Sequence, residues 1–574
     1  VPEYLAPGVY VEETSFRANS ISGVGTSTTA FVGATLKGPF GGVPELMTSF
    51  GEFERIYGGL DDLNGKTNYI AHAVRVFFDN GGSRLYVSRV VSASAKAAQS
   101  DDLLASATDE ARFVARFKGD GGNGEVLLYQ KETPVSAGTI ANAPLGSILR
   151  VKAADNTKKY YLKQTNLKAA DDWKDSADAA LTDAIVGTNP APQLDLLTLT
   201  VVARDLSGNE ISYEDLGFDA KHPRWVGSVL ASNPNRRADA LTNLFAIAVA
   251  PATVTALALR DGLFETFSQP RRIPLSGGVS GGDPSVDDYK AALKQLESLE
   301  DISIVASPGH SALAETLFLG VQQELLNFVS RRRAYQIAVL DTPPNQSLNE
   351  ARTVRSRLDS SYAALYYPWV VVANPQARSG SAAPAELTLP PSGFLCGIYG
   401  RSDVERGVYK APANEIVRGA IRFETAINFA QQEVLNPLGV NCLRFFPGRG
   451  YRVWGARTIS SDSNWKYVNI RRYFNYLEAS IDRSTQNLVF EPNGERLWTN
   501  VRDTISAFLY SEWVSGALLG GSYQEAYFVK CDRSTMTQQD LDEGRLICLI
   551  GVAAIKPAEF VIFRIGQKTA DSRG

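Results

Sequence analysis

Histidine is nearly absent: the 574 residues hold three, His72, His222 and His310, and none neighbours another. A histidine-rich metal site is therefore not expected, although a fold can still gather carboxylates. Cysteine is scarce as well. Cys396, Cys442, Cys531 and Cys548 are widely spaced with no CxxC, which points to free thiols in a reducing compartment. No run is long and apolar enough for a membrane helix. The nearest, LFAIAVAPATVTALAL from Leu244 to Leu259, has about 16 residues against the ~20 required, and Pro251 interrupts it. A strong charge of either sign is also missing, and a net charge of −4 excludes nucleic-acid binding through bulk positive charge. The opening VPEYLAPGVY carries neither the basic region nor the apolar stretch of a secretory signal.

What is present is ordinary for a soluble globular chain, with 44% hydrophobic and 21% charged residues, and the length calls for several domains. Residues 1–30 read as a linking arm: YLAPGVYVEE holds a Pro7-Gly8 turn before an extended Val9-Tyr10-Val11, with too little apolar surface to fold alone. Residues 31–95 open an α/β core. TAFVGATLKGPF predicts a strand, YIAHAVRVFFDNGG a helix ended by Asn80-Gly81-Gly82, and RLYVSRVV a second strand. Over residues 96–272 the texture changes to short alternating runs between polar turns, predicting a β-rich surface insertion, with a short helix at DDWKDSADAALTDAI.

Residues 273–380 resume the α/β rhythm. Helices are expected at Tyr289 to Leu299, Ser311 to Arg333 and Asn349 to Leu358, and strands at ISIVASPG, AYQIAVLDTPP and YAALYYPWVVV. A Pro/Ser/Ala-rich linker, Asn374 to Pro391, precedes a mixed C-terminal domain over 381–555. There Asn414 would cap a helix to about Leu435, a second helix would span Arg496 to Leu519, and strands are expected at YRVWGARTI, AYFVKC and GRLICLIGVAA. Residues 556–574 form a C-terminal arm whose EFVIFRI is apolar on both faces and calls for a partner strand. The fold class is thus multidomain α/β and α+β: a mostly parallel α/β core interrupted by a β-rich insertion, a mixed C-terminal domain and extended terminal arms.

No motif assembles a catalytic, cofactor or metal site. Gly65-Lys66-Thr67 lacks the earlier glycine of a phosphate loop, because Leu60 stands there. Gly278 to Gly282 matches G-x-S-x-G, yet QPRRIPLSG is not the apolar strand that a nucleophile elbow needs before Ser280. Asp171-Asp172 and Asp287-Asp288 sit at predicted helix starts, where carboxylates favour the helix dipole, and Arg331 to Arg333 end a helix for the mirror-image reason.

Taken in order, several short motifs resemble the phage tail sheath family. They run from PGVYVEE (Pro7 to Glu13) and FVGATLKGP (Phe31 to Pro39) through FFDNGG (Phe77 to Gly82) to PPSG (Pro390 to Gly393). RGVYKAPAN (Arg406 to Asn414), LGVN (Leu438 to Asn441), VWGARTI (Val453 to Ile459), NIRRYFNYLEASI, FEPN (Phe490 to Asn493) and PAEF (Pro557 to Phe560) complete the series. The likeness covers about residues 1–95 and 273–566 and is thin across the insertion.

That resemblance implies a structural protomer of stacked six-fold rings around an inner tail tube, driven through a target envelope by contraction. It implies partners in the tube, baseplate and tail terminator proteins, with no nucleic acid, membrane insertion, cofactor or enzyme activity. It places the protein in a virion tail or phage-tail-like particle assembled in the bacterial cytoplasm. The single long chain favours a phage or extracellular injection particle over a type VI sheath, which is usually split in two. The arm residues expected to join neighbouring subunits are Tyr4, Pro7, Gly8, Val9, Tyr10, Val11, Phe560, Val561, Ile562, Phe563 and Ile565, added as strands to a neighbour's sheet. Links at Arg17 to Thr29 and after Ala554 would be the hinges. Arg496, Arg502 and Asp503 are the candidate inner-tube face. The alternatives are a non-contractile adhesin built on the insertion, or a serine hydrolase using Ser280.

Overall fold

The computed structural model describes residues 20–562 apart from 64, 105, 107, 166–171, 182–190, 252, 266–268 and 379–382. Eight strands form one sheet: Thr29–Gly33 (β1), Leu46–Met47 (β2), Leu85–Arg89 (β3), Ile304–Ala306 (β4), Ile337–Asp341 (β5), Ala363–Tyr367 (β6), Val440–Phe446 (β7) and Gly450–Val453 (β8). Their order is β2-β3-β1-β4-β5-β6-β7-β8, parallel from β3 to β7 with an antiparallel strand at each edge. β1 lies between the segments that flank the insertion, with Phe31 opposite Val87 on one side and Ala306 on the other. Alternation along β1 sends Phe31 into one core and Ala30 and Val32 into the other. Both faces are covered, which is why these strands read as unbroken apolar runs.

Helices Tyr69–Asp79 (α1), Val286–Lys294 (α2), Glu315–Val329 (α3) and Pro391–Arg406 (α4) supply the layers. Asn68 caps α1 by accepting from the Ala71 N–H at 3.2 Å. Ser285 and Asp288 close a capping box on α2, so that carboxylate serves the helix start as its position suggests. Arg331 donates to the Phe328 carbonyl beyond the end of α3.

The sequence expectation contains no helix over α4, whose Gly393, Gly397 and Gly400 are poor helix formers. The tertiary packing reverses that argument. A Cβ on Gly393 would lie 2.9 Å from Ala73 Cα, and one on Gly397 would lie 2.4 Å from the Phe77 carbonyl oxygen. The two glycines, four residues apart on one face, let α4 lie against the backbone of α1.

Other expectations also yield to tertiary contacts. YAALYYPWVVV splits at Pro368 into β6 and Val370–Ala373, the latter pairing with Glu386–Leu389 and Ala420–Phe423 in a separate three-stranded sheet. The linker from Asn374 therefore contains a strand. The helix expected from Asn414 to Leu435 is replaced by that strand at Ala420–Phe423 and a short helix at Phe429–Leu435, capped by Asn428. β7 and β8 belong to the large sheet, drawn there by register with β6, Leu365 opposite Val440.

The insertion is built on a seven-stranded antiparallel sheet in which Gly124–Val135 pairs along Gln193–Asp205. Glu110–Ala115 and Phe245–Ala250 form a smaller antiparallel pair that shares one hydrophobic core with the seven-stranded sheet. The helix expected around DDWKDSADAALTDAI is not found in its described part, 172–181: Trp173–Lys174 is a strand against Leu162 and Lys163, and Trp173 is buried in a satellite core. Asp172 accepts from the Thr165 hydroxyl and so closes a hairpin rather than capping a helix. Chain entry and exit run side by side through the bridges Lys96 to Val279 and Gln99 to Ser276, and Lys37 pairs with Asp205 at 3.0 Å across the junction.

Candidate inter-subunit linking site

Residues 463–562 form a second helical lobe. Val468–Ser484 (α5) and Glu495–Val514 (α6) meet through Tyr473, Leu477, Trp498, Val501, Ile505, Phe508 and Leu509, apolar positions at helical spacing. Glu512 is held between them, accepting from the hydroxyls of Tyr473 at 3.1 Å and Tyr476 at 2.9 Å. Burial raises its pKa against the pull of those two donors.

On this support stands a two-stranded antiparallel hairpin, Tyr527–Lys530 (β9) with Leu549–Val552 (β10). Among the described residues no third strand pairs with either. Solvent reaches three apolar side chains on it, Phe528, Leu549 and Ile550, besides Lys530, and Tyr510, Val514, Leu519 and Tyr523 nearby are exposed too. An open sheet edge beside exposed apolar side chains is a docking geometry for another strand.

The bases of both chain ends are fixed to α5. At the N-terminal end, Ile21 is buried in the lobe core and the Val24 N–H donates to Ser480 Oγ at 3.1 Å. Arg472 forks onto Asp403 at 2.8 and 2.5 Å and reaches the Thr26 carbonyl at 3.0 Å, while the Thr26 hydroxyl donates to the same carboxylate at 2.7 Å. Both charged groups are buried, at 3% and 5% exposure, so neither is left without its partner.

At the C-terminal end, Glu559 accepts from Arg457 Nε at 2.7 Å and Nη2 at 2.6 Å, from Asn436 Nδ2 at 2.7 Å and from the Tyr467 hydroxyl at 2.9 Å. These donors, the Arg457 hydrogen bond foremost, outweigh burial and hold the Glu559 carboxyl down at about 2. Asn469 on α5 also donates to the Ile555 carbonyl at 3.2 Å.

Ser20 to Thr28 is accordingly no free link, and neither is the segment after Ala554 until Glu559 has been passed. These contacts were not legible in the sequence because the ion pairs that make them join residues 69 and 102 positions apart.

Of the expected arm residues, Tyr4, Pro7, Gly8, Val9, Tyr10 and Val11, with Phe563 and Ile565, lie outside the described residues. Phe560, Val561 and Ile562 follow the Glu559 clamp and form no strand within the chain; they are 70, 68 and 79% exposed. Arg502 and Asp503 sit on α6 with their side chains 3.2 Å apart and open to solvent, and Arg496 lies on the first turn of that helix. Asp403, Arg457 and Glu559 carry no sequence signal as clamp residues, and Arg471-Arg472 reads from sequence only as an unspecific basic pair; the available signal is that Arg457, Arg472 and Glu559 fall in the motifs VWGARTI, NIRRYF and PAEF.

The two motifs set aside as chemistry converge elsewhere. Gly65 to Thr67 and Ser280 to Gly282 line one cavity of about 730 Å³ beyond the carboxyl ends of β1, β3 and β4. Lys66 there pairs with Asp283 at 2.6 Å. The Ser280 hydroxyl accepts from the Asp120 N–H at 3.2 Å, tying the glycine loop to the insertion.

Clamps near both ends of the described chain, an exposed apolar segment at 560–562 and a two-stranded hairpin with exposed apolar side chains are features suited to assembly. Family models agree: the phage tail sheath protein central domain matches residues 282–459 and the phage tail sheath C-terminal domain residues 460–568, together half of the chain. The chain belongs to the phage tail sheath family. A prophage major tail sheath protein assigned in Pseudomonas aeruginosa (strain UCBPP-PA14) is 25% identical over 270 residues, 46% of this chain and 64% of that relative. The chain matches less than two thirds of the length of each curated relative.

The fold is that of the anti-feeding prophage helical sheath in its contracted state, with 22% identity, TM-score 0.55, and 98% of this chain and 100% of that one covered. The sheath complex of the PVC extracellular contractile injection system, also contracted, matches at 20% identity and TM-score 0.52 over 99% of each chain.

Proposed function

We propose that this chain is the self-assembling protomer of a contractile sheath, and that it joins neighbouring copies by strands donated from its two ends. The observation that carries this reading is the pair of clamps, Arg472 of α5 with Asp403 at one end and Arg457 with Glu559 at the other. Each end is held at its base by a buried or half-buried ion pair, and beyond the C-terminal one come three exposed apolar residues. Donated strands would satisfy the edges of β9 and β10 and cover Phe528, Leu549 and Ile550.

In this reading α5 fixes the separation of the two arm bases. A pull on one arm passes through a single helix to the other while the domains re-dock as rigid bodies. Contraction needs no nucleotide if the extended sheath is kinetically trapped and the contracted one buries more apolar surface. The protomer works without catalysis, in stacked six-fold rings around an inner tube, with α6 and its Arg496, Arg502 and Asp503 turned toward that tube. Baseplate and terminator proteins close the ends, and the assembly belongs to a phage tail or phage-tail-like particle put together in the bacterial cytoplasm.

Deletion of residues 1–15 tests the linkage. The truncated protein is expected to fold as a monomer and to form no tubes under negative-stain microscopy, in conditions where the full chain polymerises. Normal tubes from the truncated protein would overturn it.

A further inference from the structure

Two of the four cysteines flank the hairpin, Cys531 following β9 and Cys548 preceding β10. The register places Lys530 opposite Leu549, so the next pair outward is Cys531 opposite Cys548. The hydrogen-bonding phase follows from the other end. The Ala553 N–H donates to the Ala526 carbonyl, which makes 526/553 a hydrogen-bonded position. Such positions alternate along an antiparallel ladder. Counting outward, 528/551 and 530/549 are hydrogen-bonded, while 527/552, 529/550 and 531/548 are not. The non-hydrogen-bonded position is the one at which facing side chains come closest, and its Cβ separation approaches that of a disulfide. Both thiols are free in this structure, and each perturbs the titration of the other.

We infer that Cys531 and Cys548 are a dithiol poised to close into a cross-strand disulfide that staples the open hairpin once the protein meets a small-molecule disulfide oxidant. Cys548 is the partly exposed member and Cys531 is buried at 1% exposure, which orders the chemistry. The Cys548 thiol loses its proton and attacks the oxidant, forming a mixed disulfide and expelling one thiolate. The Cys531 sulfur, deprotonated in turn, then attacks the Cys548 sulfur and expels the second. Two protein thiols lose two protons and two electrons in all, and the oxidant is reduced to two thiols. Burial raises the pKa of both groups, that of Cys548 to about 12, so the closure is slow at neutral pH and faster in alkali. The bond would tie off residues 532–547 and hold the two strands in register from their open end. The pairing does not depend on the sheath reading; only its consequence for a docking neighbour does.

The test incubates the folded full chain with oxidised glutathione at pH 8.5, then counts thiols by maleimide labelling after denaturation and maps peptides by mass spectrometry. The expected result is a fall from four reactive thiols to two, with the Cys531 and Cys548 peptides joined within one chain. Cys548→Ser should keep all three of its thiols or hold glutathione on none of them but Cys531. Four labelled thiols after oxidation, or a linkage involving Cys396, Cys442 or a second chain, would overturn the inference. A reduced chain that melts at the same temperature as Cys548→Ser secures the comparison, since both are then folded alike.

Discussion

Replacing Glu559 by Gln should release the base of the C-terminal arm without unfolding the lobe beneath it. The glutamine keeps the shape and can still accept from Asn436, but it removes the charge that Arg457 requires, leaving a guanidinium whose side chain is only 8% exposed without its carboxylate. The size of the effect follows from the depressed carboxyl, held at about 2 against an ordinary 4.5. At roughly 1.4 kcal/mol per pH unit that is about 3 kcal/mol. Because the carboxylate is partly open to solvent, screening reduces it to about 2 kcal/mol. Local opening should therefore become ~30-fold more frequent, a change confined to the segment held by the clamp.

Amide exchange followed by mass spectrometry reads this directly: residues 553–562 should exchange faster in the variant, and α5 and the large sheet should not. The pH dependence has a fixed sign. A group whose folded pKa is lowered contributes stability fully above its unfolded pKa near 4.5 and loses it as pH falls toward about 2. The native chain should thus show protection of 553–562 decaying across that window, a step missing from Glu559→Gln. Equal exchange in the two proteins at pH 7 would refute the clamp. Faster exchange throughout α5 would show instead that Glu559 supports the lobe.

Two further substitutions probe the packing and the inner face. Gly397→Ala puts a methyl group 2.4 Å from the Phe77 carbonyl oxygen, so it should destabilise the core by about 2 kcal/mol in denaturant unfolding despite alanine's better helix propensity; an unchanged or raised midpoint would refute the close approach of α4 and α1. Arg502→Glu should weaken co-assembly with the inner tube protein, measured by co-sedimentation, while tube-free sheath formation is unchanged. Loss of neither would reject that face of α6.

Local pattern was enough for what depends on near neighbours in the chain. β1, α1, β3 and the strand-helix alternation from Val286 to Tyr367 were legible because buried parallel strands and amphipathic helices impose their periods on short windows. The resemblance to tail sheaths was legible for a related reason: short motifs such as DNGG and PAEF, and their order, can be read from the chain alone.

Long-range contact decided the rest. Glycine at 393 and 397 reads as a helix breaker until α1 is found against it, where only glycine leaves room. Residues 415–428 carry a plausible helical pattern, yet Ala420–Phe423 gains a partner in Val370–Val372 and becomes a strand. The clamps on the two arms are the furthest from view, since Asp403 meets Arg472 and Arg457 meets Glu559 only after the helices between them have packed. A sequence window carries the preferences of neighbouring residues. The partner of a buried charge, or the surface a glycine must accommodate, exists only once distant segments have been brought together.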